Sequence, residues 1–165
     1  MFKKLFGGNK STEEQFVAPL SGKVVSLDDV PDPVFSQRMM GDGVAIEPTD
    51  GKVVSPVAGE IVQVFPTKHA VGIKTKSGIE VLVHIGLETV SMEGEGFEGH
   101  VNTGDQVQAG DSLVTFDPVL VSEKAESTTT PVIITNFDDV VEHFEPSYSD
   151  TAAAGDTHIM TVKTK

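Results

Sequence analysis

The chain has 165 residues, 38% of them hydrophobic, and 16 glycines, enough apolar material for one globular domain that needs no covalent staples. Its 25 acidic against 12 basic residues give a formal net charge of −13, which argues against nucleic acid and for basic protein surfaces as partners. The absence of cysteine excludes disulfides, a thiolate nucleophile and cysteine-based zinc sites.

Residues 1–15 are expected to form a flexible or amphipathic tail ahead of a single domain over residues 16–165. Met1, Phe2, Leu5 and Phe6 fall on one side of a helical wheel with Lys3 and Lys4 beside them, a composition suited to weak contact of residues 1–10 with anionic lipid. No secretory signal and no apolar run near membrane-spanning length is found, so the expected location is cytoplasmic, with membrane association through the tail alone.

From Phe16 onward, short strand-like runs recur. They are Gly22 to Leu27, Gly43 to Glu47, Lys52 to Ser55, Glu60 to Phe65, Ala70 to Thr75, Ile79 to Gly86, Ser112 to Phe116, Val132 to Asn136 and His158 to Lys163. Turn-forming pairs such as Asp42-Gly43, Asp50-Gly51, Ser77-Gly78, Gly104-Asp105 and Gly110-Asp111 separate them. Many short strands with close-set turns predict an all-β fold, an antiparallel sandwich or barrel-like arrangement. Helix is scarce, with a turn or two expected over Pro118 to Ala125 and Asp138 to Phe144, and one over Ser36 to Met40. Ala18-Pro19-Leu20-Ser21-Gly22 is similar to Ser55-Pro56-Val57-Ala58-Gly59, with both Pro and Gly displaced by 37 residues (56 − 19 and 59 − 22). Two copies suit a fold of two similar halves, each strand entered through a Pro-x-x-Gly corner.

The run Ile79-Glu80-Val81-Leu82-Val83-His84-Ile85-Gly86 carries the chemistry. Its alternation puts Ile79, Val81, Val83 and Ile85 on one face and Glu80, Leu82 and His84 on the other. His69 lies 15 residues before His84 (84 − 69), the length of one strand, a Ser77-Gly78 turn and a return strand, so the two imidazoles are expected to meet across an antiparallel pair. A neutral imidazole is a nucleophile, and a second one beside it can hydrogen-bond an anion that the first carries. The pattern points to phosphoryl carriage on His84. Its other nitrogen needs a carbonyl to fix the tautomer, and Gly86 is the local candidate. His100, His143 and His158 read as surface or strand-end residues. The acidic stretch Asp138, Asp139, Glu142, Glu145 reads as a solvated face.

Ala18-Pro-Leu-Ser-Gly22, Asp29-Val-Pro-Asp32, Val34-Phe35, Gly41-Asp-Gly43, Thr67-x-His69-Ala70, Val83-His84-x-Gly86, Thr89-Val90, Gly94-Glu-Gly-Phe97 and Ser127-Thr-x-Thr-Pro-Val132 follow one another in order. Together they resemble the glucose-type IIA component family of the bacterial phosphoenolpyruvate-dependent sugar phosphotransferase system, in its free-standing form. The resemblance implies a compact antiparallel sandwich. It implies that the histidine matching His84 takes a phosphoryl group from the histidine-containing phosphocarrier protein and passes it to a IIB cysteine of a sugar permease. His69 matches the second active-site histidine, and Thr67 a threonine beside the pair. Asp32, Val34, Phe35, Met39, Met40, Phe65, Glu88 and Val90 match a partner-binding rim, in which Asp32 and Glu88 are the charged members and Phe35, Met39, Met40 and Phe65 are read as apolar docking residues rather than core. Glu88 stands where the family has aspartate, Leu82 where it has an aromatic, and Pro33 follows Asp32. The resemblance calls for no cofactor. It extends to regulatory binding of enzymes or permeases in the unphosphorylated state, one such complex sharing a zinc ion between the two histidines and a partner carboxylate.

Two rival readings follow from the same residues. A regulatory binding module presents the same rim without carrying phosphate. A zinc hydrolase using His69 and His84 needs a third ligand, and neither H-x-H nor H-E-x-x-H occurs.

Overall fold

The computed structural model describes residues 12–165. Fourteen strands run through them. They are β1 (Glu13–Val17), β2 (Gly22–Ser26), β3 (Asp42–Pro48), β4 (Lys52–Val54), β5 (Gly59–Val64), β6 (Ala70–Lys74), β7 (Glu80–His84), β8 (Phe97–Gly99), β9 (Gln106–Val107), β10 (Ser112–Phe116), β11 (Thr130–Ile134), β12 (Val141–Pro146), β13 (Ser149–Ala152) and β14 (His158–Thr164). Three short helices, α1 (Pro33–Ser36), α2 (Pro118–Lys124) and α3 (Phe137–Val140), and two 3-10 turns, Leu27–Asp29 and Thr89–Met92, complete the regular structure.

All the strand pairings are antiparallel. They make an eight-stranded sheet in the order β13-β2-β3-β11-β7-β6-β5-β9 and two three-stranded sheets, β1-β14-β12 and β4-β10-β8. Among the described residues the large sheet ends at β13 and β9 without closing into a barrel, and the expected sandwich is present.

The two copies of the Pro-x-x-Gly repeat fall at corresponding places in the large sheet. Gly22 opens β2 and Gly59 opens β5, second from either end. At each glycine the neighbouring strand comes too close for a side chain. A Cβ on Gly22 would lie 2.1 Å from the Glu47 carbonyl oxygen of β3, and one on Gly59 would lie 2.5 Å from the Lys74 carbonyl oxygen of β6. Glycine is required at both corners.

Period-two alternation divides the side chains of the large sheet between two clusters. Val24, Val44, Ile46, Val71, Ile73, Val81, Val83, Val132 and Ile134 point into the main core, which also takes Phe16, Val53, Leu113, Phe116, Ile159 and Val162 from the two smaller sheets. Their alternates, Val25, Ala45, Ala70, Leu82 and Ile133, form a second, smaller cluster on the opposite face with Leu27, Val30, Phe35 and Leu87. The segment between β2 and β3 covers that second face. His84 stands at its edge.

Several expectations are corrected. Glu13, Glu14 and Gln15, assigned to the tail, lie in β1 and pair with Lys163, Val162 and Thr161 of β14. The expected lipid contact of residues 1–10 falls outside the described residues. The turn placed over Ser36 to Met40 forms earlier as α1, because the Asp32 carboxylate accepts from the Val34 N–H at 2.9 Å and Pro33 takes the first helical position. The helix expected over Asp138 to Phe144 is one turn, α3, followed by β12, which pairs with β14. Asp138, Asp139, Glu142 and Glu145 are exposed, as a solvated face requires.

Candidate functional site

His84 ends β7, where it is paired with Ala70, the first residue of β6. His69 immediately precedes that strand, and its carbonyl accepts from the Ile85 N–H at 2.7 Å. The hairpin thus brings the two imidazoles together, with ring centroids 5.1 Å apart and planes at 79°. The connection from β5 to β6 is tight: Phe65 N–H donates to the Ala70 carbonyl at 3.0 Å, Lys68 N–H donates to the Phe65 carbonyl at 2.8 Å, and Lys68 takes a left-handed φ of 63°. This turn carries Thr67, whose hydroxyl is hydrogen-bonded to His69 Nδ1.

Beyond β7 the chain turns at Gly86, with φ 74°. The turn aims the Gly86 carbonyl back at His84, whose Nδ1 lies 2.9 Å from it. A carbonyl only accepts, so Nδ1 carries the proton and Nε2 is left with its lone pair. A Cβ at position 86 would sit 2.5 Å from Thr89 Cγ2 and 2.9 Å from the Ser127 carbonyl oxygen, so no other residue fits there.

Burial keeps both rings neutral. It pushes His69, 3% exposed, down from 6.5 to about 4, with the neighbouring His84 adding to the shift. Burial also lowers His84; the carbonyls of Gly86 and His84 itself, and the charges of Asp32 and Glu88, oppose this without reversing it.

Around His84 lies a cavity of about 170 Å³ lined by Asp32, Val34, Phe35, Met40, Glu88, Thr89 and Val90. Six of the eight expected rim residues therefore meet at the histidine. Their exposure differs. Val90 (54%) and Val34 and Met40 (36% and 37%) present apolar surface, whereas Phe35 is only 4% exposed. Phe35 belongs to the second cluster, with its ring 5.1 Å from that of His84. It packs under the imidazole at the floor of this cavity, more deeply than its apolar neighbours on the rim. Phe65 is half-buried and stands edge-on to His69 at 5.2 Å. Met39, 69% exposed, lines a neighbouring cavity with Met40, Asp42 and Phe137.

Both Nδ1 atoms are engaged, so the pair offers two Nε2 nitrogens to a metal. Among the described residues no group of three histidine, cysteine, aspartate or glutamate side chains is placed to hold one. Two histidines are fewer than the three protein ligands that a catalytic zinc site takes. His100 is exposed and bonds Thr115, and His158 bonds Ser147 and Thr161, all away from the site.

Sequence reasoning missed Thr89, Thr130 and the strap from Glu126 to Thr130. The Leu87 N–H donates to the Ser127 carbonyl at 2.9 Å, and the Glu126 N–H to the Leu87 carbonyl at 3.1 Å. Their only signal in sequence is the pair of short runs around Thr89 and Ser127.

A family model described as the phosphoenolpyruvate-dependent sugar phosphotransferase system, EIIA 1, matches residues 14–140. The glucose-specific EIIA component of the phosphotransferase system from Bacillus anthracis is 60% identical over 166 residues, covering all of both chains. The protein of the same description from Staphylococcus aureus strain Mu50 is 54% identical over 140 residues, 84% of each chain. Among solved structures, the glucose permease IIA from Mycoplasma capricolum superposes with a TM-score of 0.81 at 41% identity, covering 95% of this chain and 99% of that one.

Proposed function

The chain belongs to the EIIA 1 family of the phosphoenolpyruvate-dependent sugar phosphotransferase system, and on that premise we propose that it is a glucose-type phosphohistidine carrier. It accepts a phosphoryl group on His84 from the histidine-containing phosphocarrier protein and hands it to a cysteine of a IIB domain. The observation that carries this reading is the 2.9 Å contact between His84 Nδ1 and the Gly86 carbonyl. It reserves Nε2 for phosphorus.

In the accepting step the Nε2 lone pair forms the new N–P bond as the donor's N–P bond breaks, and that bond's electrons return to the donor imidazole. In the onward step the IIB thiolate forms a P–S bond as the His84 N–P bond breaks. Such transfers depend on alignment and on hydrogen bonds to the equatorial oxygens. His69 supplies one from Nε2–H when its Nδ1 accepts a hydrogen bond from the Thr67 hydroxyl, one of the two tautomers compatible with their contact. The lowered affinity of both rings for a second proton keeps the nucleophile free at neutral pH.

The exposed apolar side chains of Val34, Met39, Met40 and Val90 support a docking surface for the phosphocarrier and the IIB domain. They also favour a second use of the same face, binding regulated enzymes or permeases while His84 is unphosphorylated, with zinc shared at His69 and His84 in such a complex. A cytoplasmic location goes with this role, and no helix among the described residues is long and apolar enough to cross a membrane.

Intact mass after incubation with phosphoenolpyruvate and the two general phosphotransferase proteins tests the reading. A gain of one phosphate in the parent, lost in His84→Ala, is expected. Phosphate retained in His84→Ala moves the carrier site elsewhere, and no gain in the parent leaves the binding module.

A further inference from the structure

We propose that Thr89 and Thr130 are positioning residues for His84, clamping the Ile85–Gly86 peptide from both ends so that the next carbonyl along the chain meets the imidazole. Both threonines are fully buried. Thr89 Oγ1 donates to the Ile85 carbonyl at 2.6 Å. Thr130 Oγ1 accepts from the Gly86 N–H at 3.4 Å and donates to the Thr128 carbonyl at 2.9 Å. One peptide's C=O and N–H are therefore held by two hydroxyls, one from the 3-10 turn after the site and one from the first residue of β11.

The following peptide, Gly86–Leu87, is held in the same way. Its N–H donates to the Ser127 carbonyl at 2.9 Å, and its C=O accepts from His84 Nδ1 at 2.9 Å. Four polar groups on two consecutive peptides thus have four partners, and the imidazole is one of them. The angle between the two peptides is set by the left-handed φ of Gly86, and Thr89 packs its methyl group against that residue. The Ile85 N–H, on the peptide before, donates to the His69 carbonyl, so the clamp also ties the backbone of one histidine to that of the other.

The hydroxyls touch no reacting atom. They act through the peptide that aims the Gly86 carbonyl. Removing Thr89 Oγ1 takes a donor from the Ile85 carbonyl inside the fold and frees the peptide to rotate. The Nδ1–H contact of His84 then weakens, and the Nε2–H tautomer, which cannot attack phosphorus, gains population. Thr130 has the longer contact, so its effect is the smaller of the two.

The effect on phosphoryl transfer rests on the carrier reading above; the effect on the tautomer does not. The test therefore uses the full chain with ¹⁵N-labelled histidine and compares Thr89→Val, Thr130→Val and Thr89→Ser. Imidazole nitrogen chemical shifts report where the His84 proton resides. In the parent it resides on Nδ1. Thr89→Val should shift population to Nε2–H and slow phosphoryl acceptance roughly tenfold, the lower end of the loss found when metal-ligating imidazoles lose an orienting partner. Thr130→Val should do the same to a lesser degree, and Thr89→Ser, which keeps the hydroxyl, should restore both. If Thr89→Val does not fold, Thr130→Val carries the same reading. An unchanged His84 tautomer in folded valine variants, or no restoration by serine, overturns the proposal. A shifted tautomer in a chain that takes up no phosphate, parent included, leaves the clamp standing and removes the carrier reading.

Discussion

The two faces of the eight-stranded sheet are made from alternate residues of the same strands, yet one is sealed and the other is partly open. On the first face, Val81 and Val83 of β7 disappear into a core closed by both three-stranded sheets. On the second, Leu82 packs under Phe35 and Leu87, and His84, two residues on, reaches the edge of that smaller cluster. The register of one strand thus assigns stability to one side and chemistry to the other. A histidine at position 83 would be lost in the core.

The largest effect expected from this division is a contrast between neighbours. Ile85 is fully buried in the main core, so Ile85→Ala should cost about 2 to 5 kcal/mol of unfolding free energy. His84→Gln, one position away, should leave the urea midpoint close to the parent's while abolishing phosphoryl acceptance. Phe35→Ala should combine the two effects: it should cost about 3 to 5 kcal/mol and also unseat the imidazole it packs against. Urea titration of the three variants checks the contrast. Equal losses for Ile85→Ala and His84→Gln would erase the distinction between the faces.

Some of this was readable before any coordinates. The alternation over Ile79 to Gly86 gave the correct faces, and the 15-residue separation of the histidines gave their meeting, because hairpin register follows from chain length and a tight turn. Gly86 was legible for a local reason, since only a residue two positions on can turn its carbonyl back. β12 was not. Val141-Glu-His-Phe-Glu-Pro146 has an acidic spacing that suits a helix as well as an exposed strand, and pairing with β14 decides the matter. β1 was hidden in the same way by Glu13, Glu14 and Gln15, which are polar because the strand lies at a sheet edge. The depth of Phe35 was not legible, because an apolar residue on a short segment looks the same in sequence whether it is buried in a cluster or open to solvent. Thr89 and Thr130 escaped because a hydroxyl that holds a peptide has no chemical signature of its own.

The open face carries its own pH signature. His69 takes up a proton only at about 4 in the folded protein, against 6.5 for an ordinary histidine. Between those values the unfolded chain binds a proton that the folded one does not. The contribution of His69 is therefore fully present above about pH 6.5, falls as the pH drops toward about 4, and then levels off. Comparing unfolding at about pH 7 and about pH 5, His69→Gln should reduce the parent's loss of stability by at most about 2 kcal/mol. His84 is lowered too, so part of the slope should survive in the variant. A slope identical in parent and variant would mean that His69 is not buried as a neutral group. In the transfer assay the same variant should still accept phosphate but donate it poorly to a IIB domain, because only the hydrogen bond to the phosphoryl oxygens is lost.

The smallest expected effect concerns the charges at the mouth of the open face. Asp32 and Glu88 flank the cavity around His84, on a chain of net charge −13, and both hold the His84 proton more firmly than burial alone would. Asp32→Asn retains a side-chain oxygen for the Val34 N–H, so α1 keeps its cap. Glu88→Gln leaves the left-handed backbone at that position unchanged in volume and shape. The double variant should therefore fold as the parent does and differ only in field. Association with a basic phosphocarrier surface should slow severalfold at low ionic strength and lose much of its salt dependence, since steering acts on encounter more than on the docked complex. Dissociation should respond instead to Met40→Ala or Val90→Ala, whose side chains supply exposed apolar area at the same cavity. Stopped-flow transfer measured across a salt series separates the two. If the parent's transfer rate is insensitive to ionic strength, the open face does not attract its partner through Asp32 and Glu88, and their place beside His84 serves the proton on the imidazole alone.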